Sequence, residues 1–287
     1  SVPIPGGTWE PANSEGKAYG AITVRGMIEN SVNTAAVRLA LDVGLKEVAD
    51  AARAAGIASP LLPVPSLALG SFEVTPVELA YAYATLASGG TRFEPFALHA
   101  VLGADGALLV SSKPSREDGA VDPRAAYLVT HALEGVLDRG TARSARDAGI
   151  DFPAAGKTGT TDDFRDSWFA GYTPDLVCVV WVGRDSGRTS GLSGAAGALR
   201  IWTRFMKAVY PAGSRRAFAV PPGIAIAEID PESGLLATSA CPQKYLEAFP
   251  EELVPKETCP LHPAHPLVDT VRKGFRGLGD FFRNLFR

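Results

Sequence analysis

Residues 154–160, 167–172 and 176–183 read as three strands in quick succession, with only short polar turns between them. Parallel neighbours need a crossover of about a dozen residues or more, so strands this close along the chain pair antiparallel. Residues 195–210 then read as a helix covering that sheet. Upstream the pattern is helical. Val37, Ala40, Leu41 and Gly44 close one helix on a glycine, and residues 45–55 make a second that stops at Gly56. Thr75-Pro76-Val77-Glu78 supplies an N-cap threonine, a proline at the first helical position and a glutamate at the third, so a helix is expected to about Gly89-Gly90. Asp122-Pro123 starts another that ends near Gly140. Residues 97–102 and 107–111 flank Ala104-Asp105-Gly106, a hairpin signal. The first twenty residues, with Pro3, Pro5, Gly6, Gly7 and Pro11, read as an irregular connection. Helices, then a sheet, then a covering helix predict an α+β domain with a mainly antiparallel sheet flanked by helices.

Composition removes some functions. With 46% hydrophobic and 21% charged residues over 287 positions the chain can bury a sizeable core, and its net charge of -3 gives no global basic field to gather nucleic acid. Nucleic acid is not expected as a partner. Position 1 is Ser, and no stretch approaches the roughly 20 apolar residues needed to cross a bilayer, so any anchor or export signal is expected outside this chain. At the far end, Phe275, Leu278, Phe281, Phe282, Leu285 and Phe286 cluster on one side of a helical projection. Arg272, Lys273, Arg276, Arg283 and Arg287 lie largely around the other. Residues 271–287 would therefore suit an anionic membrane surface, or equally a helix packed on its own domain.

Two short motifs carry chemistry. Lys157-Thr158-Gly159-Thr160 lies on the first of the three strands, where a lysine and two hydroxyls could hold a substrate carboxylate and Gly159 would let a ligand approach the backbone. Alone, this is more simply a strand end with a solvated lysine. Ser31-Val32-Asn33, at the start of the first helix, is by itself most simply a helix cap. Together, in this order, they match the second and third motifs of the serine acyl-transferases of the penicillin-binding group, S-x-x-K, then S-x-N, then K-T-G.

The flanks extend the match. Residues 20–43, 65–70, 73–83, 133–143 and 156–174, over a span of about 8–210, resemble the transpeptidase domain of class A penicillin-binding proteins. The tail from Ile229-Asp230 through Cys241 to Cys259 resembles that family's C-terminal extension. The expected organisation is a transpeptidase part over 1–212, a Pro- and Cys-containing extension over 213–270, and the amphipathic segment 271–287. The resemblance implies the serine β-lactamase/DD-peptidase fold, incomplete here at its N-terminal side, and a D,D-transpeptidase of peptidoglycan synthesis. Its partners would be D-Ala-D-Ala stem peptides and β-lactams. The place implied is the periplasmic, extracytoplasmic face of the inner membrane, in a parent protein that is also a glycosyltransferase; no cofactor and no metal are implied. Ser31 would relay protons, Asn33 would hold the substrate amide, and Lys157 would raise the local positive potential. Thr158 and Thr160 would bind the terminal carboxylate beside Gly159, the Thr160 backbone N–H forming half of an oxyanion hole. Strand alternation sets Lys157 on the opposite face from Thr158 and Thr160.

One departure matters. The only S-x-x-K ahead of Ser31 is Ser14-Glu15-Gly16-Lys17, which is turn chemistry with a glycine where a helix should bring lysine over serine. This chain is therefore expected to lack the nucleophile and to be inactive alone. A class B penicillin-binding protein and a non-catalytic ligand-sensing module of the same fold remain as alternatives. Of the three cysteines, Cys178 sits in an apolar run and reads as buried and inert. Cys241 and Cys259, with His262 and His265, could form a zinc site, but the interleaved prolines and a disulfide-permissive compartment favour a Cys241–Cys259 bridge closing a loop of about 18 residues. Asp162, Asp163 and Asp166 read as a polar loop with Arg165 as partner, not as a metal loop.

Overall fold

The computed structural model describes residues 1–264 except Pro5, Pro211, Ala212 and Arg215. Segment 271–287, with its membrane reading, lies outside the described residues, as does His265. The chain divides into two compact units, Ser1–Pro221 and a second that begins at Pro222.

In the first unit the opening residues form a small hairpin, β1 (Val2–Ile4) against β2 (Gly7–Trp9), where an irregular connection is expected from Pro3 and Pro5. Helices follow: α1 (Val24–Asn30), α2 (Asn33–Val43), α3 (Leu45–Ala55) and α4 (Pro76–Ala87). The N-terminus of α4 is a complete capping box, with Thr75 and Glu78 each bonding the other's backbone N–H. Short strands β3 (Arg92–Phe93), β4 (Ala100–Leu102), β5 (Leu108–Ser111) and β6 (Arg116–Glu117) then pair antiparallel as β3 with β6 and β4 with β5. They lead into α5 (Pro123–Asp138), capped by Asp122, and the single turn α6 (Ser144–Asp147). Last come β7 (Ala155–Thr160), β8 (Ser167–Tyr172), β9 (Val177–Val182) and α7 (Ala198–Val209).

Strands β7, β8 and β9 form one antiparallel sheet with β8 in the centre, paired Lys157↔Ala170 and Phe169↔Val180. The alternation of β8 explains the layers. The Tyr172 ring stacks edge-on against Tyr83 of α4 and its hydroxyl meets Thr130 Oγ1 of α5 at 2.9 Å. Phe169, on the opposite face, packs edge-on against Trp202 of α7 with centroids 5.0 Å apart. The sheet is thus sandwiched, with Leu133, Val136 and Leu137 of α5 and Leu199, Trp202 and Met206 of α7 in its core. A second cluster of Ala49, Ile57, Leu61, Leu67 and Ala82 joins α3, the turn Pro65–Leu69 and α4. Among the described residues no helix is long and apolar enough to cross a membrane.

The second unit carries β10 (Ile224–Ile229) paired antiparallel with β11 (Tyr245–Pro250), and Leu236 bridges to Ile229 and Thr258. The expected Cys241–Cys259 disulfide is corrected here: neither cysteine is disulfide-bonded. The sulfurs are engaged as hydrogen-bonding groups instead. Cys241 Sγ accepts the Thr238 N–H at 3.2 Å, and Cys259 Sγ lies 3.5 Å from His262 Nδ1.

Candidate active site

The site starts at the C-terminal end of α1. Thr23 caps the other end, its hydroxyl accepting from the Gly26 N–H at 3.1 Å. Ser31 closes the helix in the left-handed conformation, φ 54 and ψ 51, with its N–H returned to the carbonyls of Met27 and Ile28. That position usually holds glycine or asparagine, and a serine there carries strain of order 1 kcal/mol. The expectation of Ser31 at a helix start is therefore corrected: it is the strained turn between α1 and α2. Glycine spacing and cap residues mark only the end of α2, and nothing local in the sequence separates α1 from it.

A buried network holds this turn in place. The Glu29 carboxylate accepts from Arg25 and from Arg139 at the end of α5, and Arg25 Nη1 donates to the His131 carbonyl at 3.0 Å. Gly140 lies under the Glu29 carbonyl so closely that a Cβ would sit 2.3 Å from that oxygen, and the Thr141 N–H donates to it at 3.1 Å. Neither Glu29 nor Thr141 was singled out from sequence. Their importance rests on contacts between α1 and the end of α5, more than a hundred residues apart, for which local periodicity gives no signal.

From the sheet side, Lys157 of β7 donates from Nζ to Ser31 Oγ at 2.8 Å and to the Thr158 carbonyl at 3.0 Å. Burial pushes its pKa down to about 8. Its ammonium is thus held mainly charged at neutral pH while remaining a donor or acceptor of protons within reach of physiological conditions. Thr158 Oγ1 lies 2.8 Å from Thr141 Oγ1, and Thr160 Oγ1 accepts the Gly194 N–H at 2.9 Å. A hydroxyl whose oxygen already accepts an N–H keeps its own proton to donate, the polarity a carboxylate ligand requires. At Gly159 a Cβ would stand 3.0 Å from the Trp168 Cβ, so any side chain there would crowd the neighbouring strand.

Asn33, first residue of α2, donates from Nδ2 to the Ala12 carbonyl at 2.8 Å. Ser14–Gly16 form a 3-10 turn with Gly16 at φ 65, which provides no α-helix to carry Lys17 over Ser14. The β7–β8 connection is a polar loop: Arg165 pairs with Asp163 at 3.2 Å, and Asp166 accepts from Thr161 Oγ1 and from Trp181 Nε1 at 3.1 and 2.8 Å.

Residues 2–200 match the family described as penicillin binding protein transpeptidase domain, and residues 220–264 match the C-terminal domain of penicillin-binding protein 1A. Penicillin-binding protein 1A of Aquifex aeolicus is 39% identical over 241 residues, which cover 83% of this chain and 33% of that protein. Penicillin-binding protein 1A of Haemophilus influenzae, known as a crystal structure, superposes with a TM-score of 0.80 at 26% identity, over 90% of this chain and 44% of that one. PonA1 of Mycobacterium tuberculosis, solved in complex with penicillin V, gives a TM-score of 0.63 at 29% identity over 73% of this chain and 62% of that one. The chain spans between about a quarter and a third of the length of the curated relatives it matches. The fold is that of the serine β-lactamases and DD-peptidases, and the chain belongs to the penicillin-binding protein transpeptidase family, among the class A proteins.

Proposed function

We propose that residues 1–221 supply the proton-relay and carboxylate-binding side of a serine D,D-transpeptidase active site that crosslinks peptidoglycan stem peptides and is acylated by β-lactams. The observation that carries this reading is the hydrogen bond from Lys157 Nζ to Ser31 Oγ, at 2.8 Å, on the strand that also carries the hydroxyls of Thr158 and Thr160. In the reaction, a serine attacks the penultimate D-Ala carbonyl and the terminal D-Ala leaves as an amine. An amine from a neighbouring strand then takes the acyl group.

Each group has a task in that sequence. Ser31 Oγ passes a proton from the nucleophile toward the leaving amine, and Lys157 orients that hydroxyl while its charge stabilises the developing oxyanion. The Thr160 backbone N–H donates to the oxyanion. The hydroxyls of Thr158 and Thr160 donate to the terminal carboxylate, and Asn33 holds the substrate amide. No residue of 1–287 is assigned as the nucleophile, because activation needs a serine and a lysine one helical turn apart and Ser14 with Lys17 lacks that helix. The parent protein is read as also a glycosyltransferase working at the extracytoplasmic face of the inner membrane, and relatives of the 1A and 1B types favour class A over class B.

Fluorescent penicillin tests this directly. The chain 1–287 is expected to remain unlabelled, and a longer chain that adds the sequence upstream of Ser1 is expected to be labelled covalently. Strong labelling of 1–287 that disappears in Ser14→Ala would overturn the assignment of the first motif.

A further inference from the structure

In the second unit Asp230, Cys241, Cys259 and His262 come together from three separate stretches of chain, and one ligand atom from each lies within 4.8 Å of all the others. We propose that these four side chains form a structural metal site that takes zinc. Two sulfurs, one imidazole nitrogen and one carboxylate oxygen are the donor set of a tetrahedral site for a borderline-soft divalent ion, and unlike the all-oxygen cages of magnesium or calcium. In a closed tetrahedron with bonds of about 2.0–2.3 Å the ligand atoms stand roughly 3.3–3.8 Å apart, so the observed spread needs only a small rotamer adjustment.

The surroundings hold the donors in register. Asp230 lies just past β10, 1% exposed, and its Oδ1 accepts the N–H groups of Glu232 and Ser233 at 2.9 Å each, leaving Oδ2 facing His262 Nδ1 at 3.0 Å. Cys241 Sγ takes the Thr238 N–H at 3.2 Å, and the Thr238 hydroxyl is tied to the His262 carbonyl. The Cys259 backbone is pinned by its N–H to Leu236 O at 2.8 Å. Such outer bonds orient ligands and leave their metal-facing lone pairs directed inward. Both thiols are buried and not bonded to each other, at 6% exposure for Cys241 and 2% for Cys259. Cys259-Pro260-Leu261-His262 places a sulfur and a nitrogen three positions apart in a tight turn, with Cys241 closing from the other side.

The unit also needs what a metal supplies. Among its described residues the named strands are one two-stranded hairpin, and a hairpin alone is at best marginally stable in water. An ion held by the end of β10, the 238–241 turn and the 259–262 turn would crosslink three segments that the hairpin does not join.

Zinc and cobalt on the full chain 1–287 provide the test. Protein dialysed against metal-free buffer after zinc loading is expected to retain one equivalent, with affinity lowered at least about 100-fold in Cys259→Ser and in Asp230→Ala and unchanged in Cys178→Ala. Cobalt substitution is expected to give intense tetrahedral d–d bands and a thiolate-to-cobalt charge-transfer band, the latter growing in His262→Cys in proportion to three thiolates instead of two. The unsubstituted chain decides the matter even where a variant fails to fold. A weak octahedral cobalt spectrum would overturn the proposal. So would zinc retained equally by the unsubstituted chain and Cys259→Ser, or a Cys241–Cys259 disulfide found by non-reducing peptide mapping in zinc-loaded protein.

Discussion

Lys157 Nζ donates to the hydroxyl oxygen of Ser31 at 2.8 Å across 126 residues of sequence. The bond joins an edge strand to a strained helix end, and each side is fixed independently, the lysine by the register of β7 on β8 and the serine by the packing of α1 on α5. Neither backbone position can shift without moving an element of the core. That rigidity suits groups that must meet a reacting atom within a fraction of an ångström.

In a longer chain that is labelled by penicillin, Lys157→Ala and Ser31→Ala should each slow acylation by about 100-fold or more, the scale for loss of a positioned proton-transfer or electrostatic group. Thr160→Val should cost less, because its backbone N–H remains. Stopped-flow acylation kinetics would separate the three, and indifference to Lys157 would overturn the site assignment.

The same lysine should set a limb in the pH profile. Burial holds its pKa at about 8, so acylation should fall as pH rises through that value and the ammonium is lost. Lys157→Arg, whose guanidinium stays protonated, should abolish the limb whatever its absolute rate. A profile unchanged by Lys157→Arg would assign the limb to another group.

Gly140→Ala should disturb the site from a distance. Its Cβ would sit 2.3 Å from the Glu29 carbonyl oxygen, a backbone atom that cannot swing aside, so α1 or α5 must move. A loss of roughly 1–3 kcal/mol is expected. Gly119→Ala is the comparison: φ is 71 but no atom lies within 4 Å, so only the backbone penalty of about 1 kcal/mol applies. Urea denaturation of both, with acylation rates in the longer chain, should show Gly140→Ala alone losing rate.

How much of this was legible in the sequence depended on whether the signal was local. The capping box at Thr75 and Glu78, the Asp122 cap of α5 and the three strands of the sheet carry their own turn chemistry and periodicity, and the structure has them within a few residues of the expected bounds. The pairing of Ser31 with Lys157 was legible only through motif order, not through any periodicity. The left-handed turn at Ser31, the Glu29 network and the Thr141 contact were not, because each is settled by tertiary packing that overrides the simpler reading of a helix cap. The cysteines show the reverse error. The interleaved prolines and a disulfide-permissive compartment suggest a bridge, while the convergence of Asp230, thirty-two residues from His262, is visible only once the backbone is folded.

Glu78 should matter most in acid. Its carboxylate accepts the Thr75 N–H at 2.9 Å and the Ser59 N–H at 2.7 Å, and these bonds, that of Thr75 foremost, hold its pKa down to about 2. A carboxylate with a depressed folded pKa contributes stability that is complete above about 4.5 and is lost as pH falls toward 2. Glu78→Gln should therefore cost about 1–3 kcal/mol at pH 7 and much less at pH 2. Equal losses at both pH values, measured by urea unfolding, would show that the carboxylate's charge contributes nothing.

Lys157 should add a second rise of stability with pH, in the alkaline range, this time because a charge held at a cost is lost. Its ordinary pKa is 10.5 and burial lowers it to about 8 in the folded state, so between those values the unfolded chain binds more protons than the folded one. Stability must then rise with pH over that interval and be flat, in this contribution, below about 8, where both states are charged and the desolvation cost is fully felt. A shift from 10.5 to about 8 corresponds to roughly 3 kcal/mol over the whole interval. Lys157→Met keeps a side chain of similar length without the charge. It should raise stability at pH 7 relative to the parent chain, and the advantage should shrink as pH rises toward 10.5. Urea unfolding at pH 7, 8, 9 and 10 would measure it, and parallel stability curves for the two chains would mean that the ammonium is not held at a cost.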